Sequence, residues 1–267
     1  MTYSDLAIVR VLTLRTVFHL PLRQAEGFVA SRIRLIGLKL ETPDHTTLSR
    51  RSSQVEVPRM ATVHDGPLHL VIDSTGLKML GDGEWHADKH KTSNRRRRWR
   101  KLHLAVDSSG FIVASKLTER RADDGVVGVQ MLEGLDARVE RFTADGAYNS
   151  RPVYEAVDTA GTPDVRVVIP PSRRAATCPG AMGAWRQRTE AVERISQVGR
   201  RAWRKESGAH HQARGENGMF RYKPIIGDRL RAKKFEWQVR EALIAVNVLN
   251  RMTKQGRPLS VPSCLEW

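Results

Sequence analysis

A chain of 267 residues, 40% hydrophobic and 28% charged, is long enough to bury a sizeable core and is neither collagen-like nor disordered. Its 45 Lys and Arg against 29 Asp and Glu leave a formal charge of +16, which points to a polyanionic partner, nucleic acid ahead of an anionic membrane. No apolar run approaches the roughly 18 residues of a membrane span; the opening lacks a secretory leader and Cys178 and Cys264 lie far apart, so a cytoplasmic, reduced setting is expected.

Residues 1–51 read as helices. Ser4 is a cap for the first, which carries Leu6, Val9 and Leu12; Pro21 opens the second, where Ala25, Phe28, Val29, Ile33 and Ile36 recur at helical spacing until Gly37. Asp44 caps a short third helix whose Thr46, Thr47, Ser49, Arg50 and Arg51 suit contact with DNA, a helix-turn-helix-like segment; a plain helical bundle fits nearly as well. Residues 52–67, polar and interrupted by Pro58, Gly66 and Pro67, read as a linker.

From residue 68 the pattern changes to strands, short turns and helices, an α/β domain expected over 68–255 with a tail at 256–267. Leu68 to Ile72 is a buried strand that opens at Asp73 into Ser74-Thr75-Gly76. Leu102 to Val106 and Phe111 to Leu117 flank Asp107-Ser108-Ser109-Gly110 as an antiparallel hairpin. A helix capped by Asp123-Asp124 carries Val126, Val127, Met131, Leu132 and Leu135, and a strand from Val139 to Ala144 then ends at Asp145-Gly146. Ser150 and Pro152 start a helix that Gly161 stops, Val165 to Ile169 makes another strand, and the remainder is mostly helical, with an apolar stripe of Val239, Leu243, Val246 and Leu249 between about Phe235 and Met252.

Asp73 and Asp145, 72 residues apart, each end an apolar strand and precede small residues, the edge at which open sheets bind ligands. Neighbouring strands would bring both carboxylates into one crevice, where a divalent cation would relieve their repulsion. Hard oxygen ligands suit Mg²⁺ or Mn²⁺, and two ions about 3.5–4 Å apart serve phosphodiester chemistry. Glu216, 71 residues after Asp145 among Arg214, Arg221 and Lys223, is the candidate third carboxylate. On spacing alone the plainer reading, a strand-end Asp, a turn Asp and a solvated Glu, stands ahead.

The segments Val71-Ile72-Asp73-Ser74-Thr75-Gly76-Leu77-Lys78, Trp99 to Asp107, Thr143-Ala144-Asp145-Gly146-Ala147-Tyr148, and Glu216-Asn217 through Arg221-Tyr222-Lys223 change that balance. Over almost its whole length the chain resembles the DDE transposases of the insertion-sequence-five group. The resemblance implies a ribonuclease-H-like mixed sheet flanked by helices, two Mg²⁺ ions, and cut-and-paste movement of a short bacterial DNA element bounded by inverted repeats. It implies Asp73, Asp145 and Glu216 as catalytic metal ligands and Lys223 as a catalytic phosphate holder, with a homodimer or larger synapse on the nucleoid. Two positions depart from the family signature: Ala209 and Gln212 stand where it has Tyr and Arg. Members of the group often carry more sequence before a segment like Tyr3 to Leu6, which leaves room for a shortened copy. A nuclease of the same fold that does not join strands, and a DNA-binding protein disabled at Ala209 and Gln212, are the competing readings.

Lys89 to Lys101 places eight cations and no acid in thirteen residues: Lys89, Lys91, Arg95, Arg96, Arg97, Arg98, Arg100 and Lys101. With Arg50, Arg51, Arg214 and Arg221 these are the candidate DNA contacts, and phosphate contacts give salt-dependent affinity with little sequence information; a solvated charged loop is the alternative for the strip. Trp85 and Trp99 bracket the strip as candidate stacking residues or as core. A second basic zone, Arg194, Arg200, Arg201, Arg204 and Lys205, is offset by Glu190, Glu193 and Glu206. The glycines beside His86 and His90 argue against zinc, His210 and His211 are phosphate contacts or solvated, and no phosphate-cradling glycine loop calls for ATP.

Overall fold

The computed structural model describes residues 3–58, 66–79, 99–209 and 221–256. Helix α1 (Asp5–Val17) starts where Ser4 Oγ accepts from the Ala7 amide, and buries Ile8, Val11 and Leu12 while Leu6 stays exposed. Pro21 precedes α2 (Leu22–Leu35), which buries Ala25 and Val29; Ile36 is exposed past its end, and Gly37 turns the chain at φ +75°. In α3 (His45–Arg51) Asp44 caps the amides of Thr46 and Thr47, and the Thr46 hydroxyl together with those amides holds its carboxyl well below the usual range. Residues 52–58 are not a bare linker. Val55 and Val57 are buried in the core formed by α1, α2 and α3.

Among the described residues six strands form one mixed sheet: β1 (Leu68–Met79), β2 (Trp99–Val106), β3 (Ile112–Glu119), β4 (Val139–Ala144), β5 (Gly161–Val168) and β6 (Arg229–Leu230). The order is β3-β2-β1-β4-β5, with β2 antiparallel to both β1 and β3, β4 parallel to both β1 and β5, and β6 joining the far end of β1. The β2–β3 turn is the expected one, with Asp107 accepting from Phe111 N and Gly110 at φ +81°. Strand β1 departs from expectation because it does not open into a loop at Asp73: β2 pairs with it as far as Lys78↔Trp99 and β6 takes over at Lys78↔Arg229.

Helices α4 (Asp124–Glu133), α5 (Arg151–Ala160) and α6 (Gly183–Ser207) follow β3, β4 and β5. The first is capped by Asp123, which accepts from Val126 N, and the third folds back at Gly199, φ +80°, where Arg194 clasps Glu206 through two hydrogen bonds. One core joins α4, α5 and α6 to Leu70, Ile72, Phe142 and Ala144. The opposite sheet face, with Leu77, Leu102, Leu104 and Val106, packs on α7 (Phe235–Lys254). Asn250 of α7 bonds both the amide and the carbonyl of Ile112 at 2.8 Å. Ile244 of the same helix completes the core of the N-terminal helices. This mixed sheet between helix layers is a ribonuclease-H-like α/β fold, and no described helix is long and apolar enough to cross a membrane.

Candidate active site

The two strands that carry the candidate carboxylates run side by side up to the end of β4. Ile72↔Ala144 is the last pairing between β1 and β4, so Asp73 and Asp145 are the next residue on each of two adjacent parallel strands, whose spacing is about 4.8 Å. Both are half-buried. Asp73 accepts from the Ser74 amide at 2.7 Å, and Asp145 caps a one-turn 3-10 helix (Gly146–Tyr148) by accepting from Ala147 N at 2.9 Å. Two carboxylates so placed suit a hard divalent cation. Among the described residues no three His, Cys, Asp or Glu side chains converge on one ion; Glu216, the third expected ligand, lies outside them.

Behind this edge lies a buried polar layer. Lys101 and His103 are alternate residues of β2, opposite Gly76 and Ser74 of β1, and so emerge on one face. Asp124, in the first turn of α4, receives the Lys101 ammonium on Oδ2 at 3.0 Å and approaches His103 Nδ1 with Oδ1 at 3.3 Å without hydrogen-bond geometry. The other ring nitrogen of His103 meets Thr118 Oγ1 at 2.8 Å. Burial pushes the imidazole down to about 4 against the pull of Asp124, with Lys101 and Lys116 adding to the fall, so His103 is neutral at pH 7.

Tyr148 completes the layer. It is 1% exposed, and its hydroxyl has no hydrogen-bond partner among the described residues, an arrangement that costs about 1–3 kcal/mol. Burial raises its phenol above the ordinary value, and the charges of Asp124, Asp73 and Asp145 push the same way. The ring fits because residue 128 is Gly: a Cβ there would lie 2.9 Å from it. The sequence reading left Asp124 as a capping residue and did not single out His103 or Tyr148 as a polar cluster, since the three meet only through the pairing of β1 with β2 and the docking of α4.

Several candidate DNA contacts are engaged within the fold. Because β2 starts at Trp99, Arg100 and Lys101 are strand residues and not loop residues: Arg100 bonds Gln238 and Glu119 and lies over the Phe235 ring, while Lys101 bonds Asp124 and the Ala122 carbonyl. Arg51 ties α3 to α1 through Asp5 and the Tyr3 carbonyl, and Arg221 bonds Thr253. These four are engaged within the fold. Arg50 and Lys223 are exposed. In the second basic zone Arg194 is held by Glu206 and Arg200 bonds the Pro171 carbonyl, whereas Arg201, Arg204 and Lys205 are exposed. Lys89, Lys91, Arg95, Arg96, Arg97, Arg98, Arg214 and Gln212, with Trp85, His86, His90, His210 and His211, lie outside the described residues. Ala209 is buried against Val168 and Trp203.

A groove of about 500 Å³ is lined, among the described residues, by Ser74 to Gly76, Trp99 to Lys101 and Arg120. The Trp99 ring rests on Gly76, where a Cβ would come within 2.9 Å, and the Lys78 ammonium sits 5.8 Å from a ring centroid of the same indole. Arg120 is exposed just past β3, and nothing in the sequence marked it out.

Two protein-family models match the chain. Both are described as a transposase DDE domain, one over residues 1–82 and the other over residues 64–251. The second covers well over half of the chain, Asp73 and Asp145 included.

Proposed function

The chain belongs to the DDE transposase family, a family of DNA-binding, nucleic-acid-cleaving enzymes that work with divalent metal, and on that premise we propose that it cuts the ends of its own DNA element and joins them to target DNA. The observation that carries this reading is the adjacency of Asp73 and Asp145 one step past the Ile72↔Ala144 pairing. Together with Glu216 they would hold two Mg²⁺ or Mn²⁺ ions, which supply activation of an attacking hydroxyl and stabilisation of the leaving oxygen. Asp73 and Asp145 are preorganised for this by their bonds to Ser74 N and Ala147 N. Glu216 is assigned as third ligand because both flanks of its segment are anchored to the sheet: Ala209 packs on Val168 of β5, and Tyr222 is buried with Leu77 of β1 and Leu230 of β6. Lys223, exposed beside Tyr222, holds the DNA phosphate.

Residues 1–51 serve as a DNA-binding segment and 68–255 as the catalytic domain, two protomers or more meeting in the synapse. Chemically, water at the site hydrolyses one phosphodiester at the element end, and the freed 3′-hydroxyl then attacks a target phosphodiester, with no covalent enzyme intermediate. Replacing Asp73 or Asp145 by Asn abolishes Mg²⁺-dependent cutting of DNA carrying the element's terminal repeats while binding to that DNA persists. Cutting by either variant at the parental rate would overturn the assignment. One observation favours a second reading, a DNA-binding protein that no longer cuts: Ala209, where the family signature has Tyr, sits in a closed apolar cluster with Val168 and Trp203. That protein would bind the terminal repeats and yield no product with either metal.

A further inference from the structure

Strand β5 ends beside the Asp145 turn, and the chain beyond it is pinned there. The parallel pairing Thr143↔Val168, carried past the strand ends, sets Pro170 next to Asp145, and a Cβ on Gly146 would lie 3.4 Å from the Pro170 carbonyl. The residues that follow are tied down on both sides. Arg200 donates to the Pro171 carbonyl at 2.7 Å. Arg188 donates to the Ala176 carbonyl at 3.0 Å and, through Nε, to Asn149 Oδ1 at 3.2 Å, where the 3-10 turn capped by Asp145 closes. Between these ties the Ala175 amide bonds the Ser172 carbonyl at 3.2 Å, so Arg173 and Arg174 are the central residues of a tight turn, and both are exposed.

The arm of α6 that returns after Gly199 extends this flank. It starts with Arg200 on Pro171 and packs Trp203 with Val168 of β5, which leaves Arg201 and Arg204 exposed. Two of the glutamates that offset this zone in the sequence are engaged by the outgoing arm: Glu190 pairs with Arg186 at 3.2 Å and Glu206 with Arg194 at 2.8 Å, while Glu193 is exposed on that arm. Exposed guanidiniums on a braced turn and a packed helix suit a run of phosphates, because each can fork onto one oxygen pair and little backbone freedom is lost on binding. We propose that Arg173, Arg174, Arg201 and Arg204 grip the backbone of duplex DNA that extends from the carboxylate edge on the β5 side. The assignment rests on the transposase reading for its partner, and it adds a track of sequence-independent contacts to that site.

The test is fluorescence anisotropy of a short fluorescein-labelled duplex of arbitrary sequence with the full chain in EDTA, where no metal-dependent cutting takes place, repeated over a salt series. Arg173→Gln with Arg174→Gln lowers the slope of log affinity against log salt by about 1.8, two B-DNA phosphate contacts at about 0.9 each. Arg201→Gln with Arg204→Gln does the same. All four side chains are exposed, so both variants fold. A control removes equal charge elsewhere: Arg151→Gln with Arg186→Gln takes away two arginines held by Glu155 and Glu190, and it keeps the parental slope. An unchanged slope in either of the first two variants, or an equal fall in the control, would overturn the assignment and leave the cutting assay untouched. Conversely, lowered slopes with no cutting by any form under Mg²⁺ keep the duplex track and remove the enzyme.

Discussion

His103 is a histidine that the fold keeps from protonating. Its ordinary value is 6.5, and burial takes it down to about 4 despite the neighbouring Asp124 carboxylate. Between those two values the unfolded chain takes up a proton that the folded chain refuses, so stability rises with pH across the window and falls as pH is lowered from 6.5 toward 4. Gln at this position keeps a partner for the Thr118 hydroxyl and has nothing to titrate. Urea midpoints measured at pH 7 and pH 4.5 are therefore expected to differ less for His103→Gln than for the parent; equal differences would show that His103 does not set the acid limb. The same residue shows where sequence reading stops. Asp73 and Asp145 were legible because each ends an apolar run, whereas the meeting of His103, Lys101 and Asp124 depends on cross-strand register and helix docking, which no local pattern encodes.

At the scale of elements, β1 shows a local signal overruled by pairing. Asp73-Ser74-Thr75-Gly76 is turn chemistry by composition, yet the strand runs on because β2 supplies a partner for every residue as far as Lys78 and Trp99 packs over Gly76. Helix α4 and the Asp145 turn show the reverse, a local choice with distant effect. Gly128 leaves room for the Tyr148 ring, and Tyr148 ends the same turn that Asp145 caps. Gly128→Ala forces that ring to move, at a cost of about 1–3 kcal/mol for overpacking, and displaces the Asp145 carboxylate with it. A lowered denaturation midpoint together with slower Mg²⁺-dependent cutting is expected; parental values for both would mean that the turn moves freely of α4. Strand β6 escaped notice because two residues carry no periodicity, and residues 52–58 because only Val55 and Val57 mark them as core.

Across the whole molecule, the helices of residues 1–51 are not a freely appended unit. Ile244 of α7 lies in their core, Arg240 and Asn247 bond the Val55 and Pro58 carbonyls, and Arg231 bonds the carbonyls of His19 and Leu20. An unpaired carboxylate at position 244 would open this seam, because burying a charge without a partner is among the most destabilising of single changes. Ile244→Asp is expected to lower the melting temperature and to make the segment before residue 58 the first site of limited proteolysis; parental protection there would mean that the seam contributes little. The charge of +16 is also unevenly available. Arg51, Lys78, Arg100 and Lys101 are paired with carboxylates, so the salt dependence of DNA binding will be shallower than the net charge suggests.

The pairing of β1 with β6 also fixes an order of events during synthesis. Lys78 bonds Asp228, 150 residues later in the chain, and the cores on either side of the sheet and among the first helices draw on residues as late as Ala184, Leu249 and Ile244. Contacts of such long sequence separation form slowly and late. The strand bearing Asp73 leaves the ribosome early, yet its last pairing waits for β6 and the core on one face of its sheet for α7. A chain interrupted before β6 leaves that strand without its last neighbour, one interrupted before α7 leaves the first helices without part of their core, and so the sheet edge bearing Asp73 is complete only on a chain translated through both.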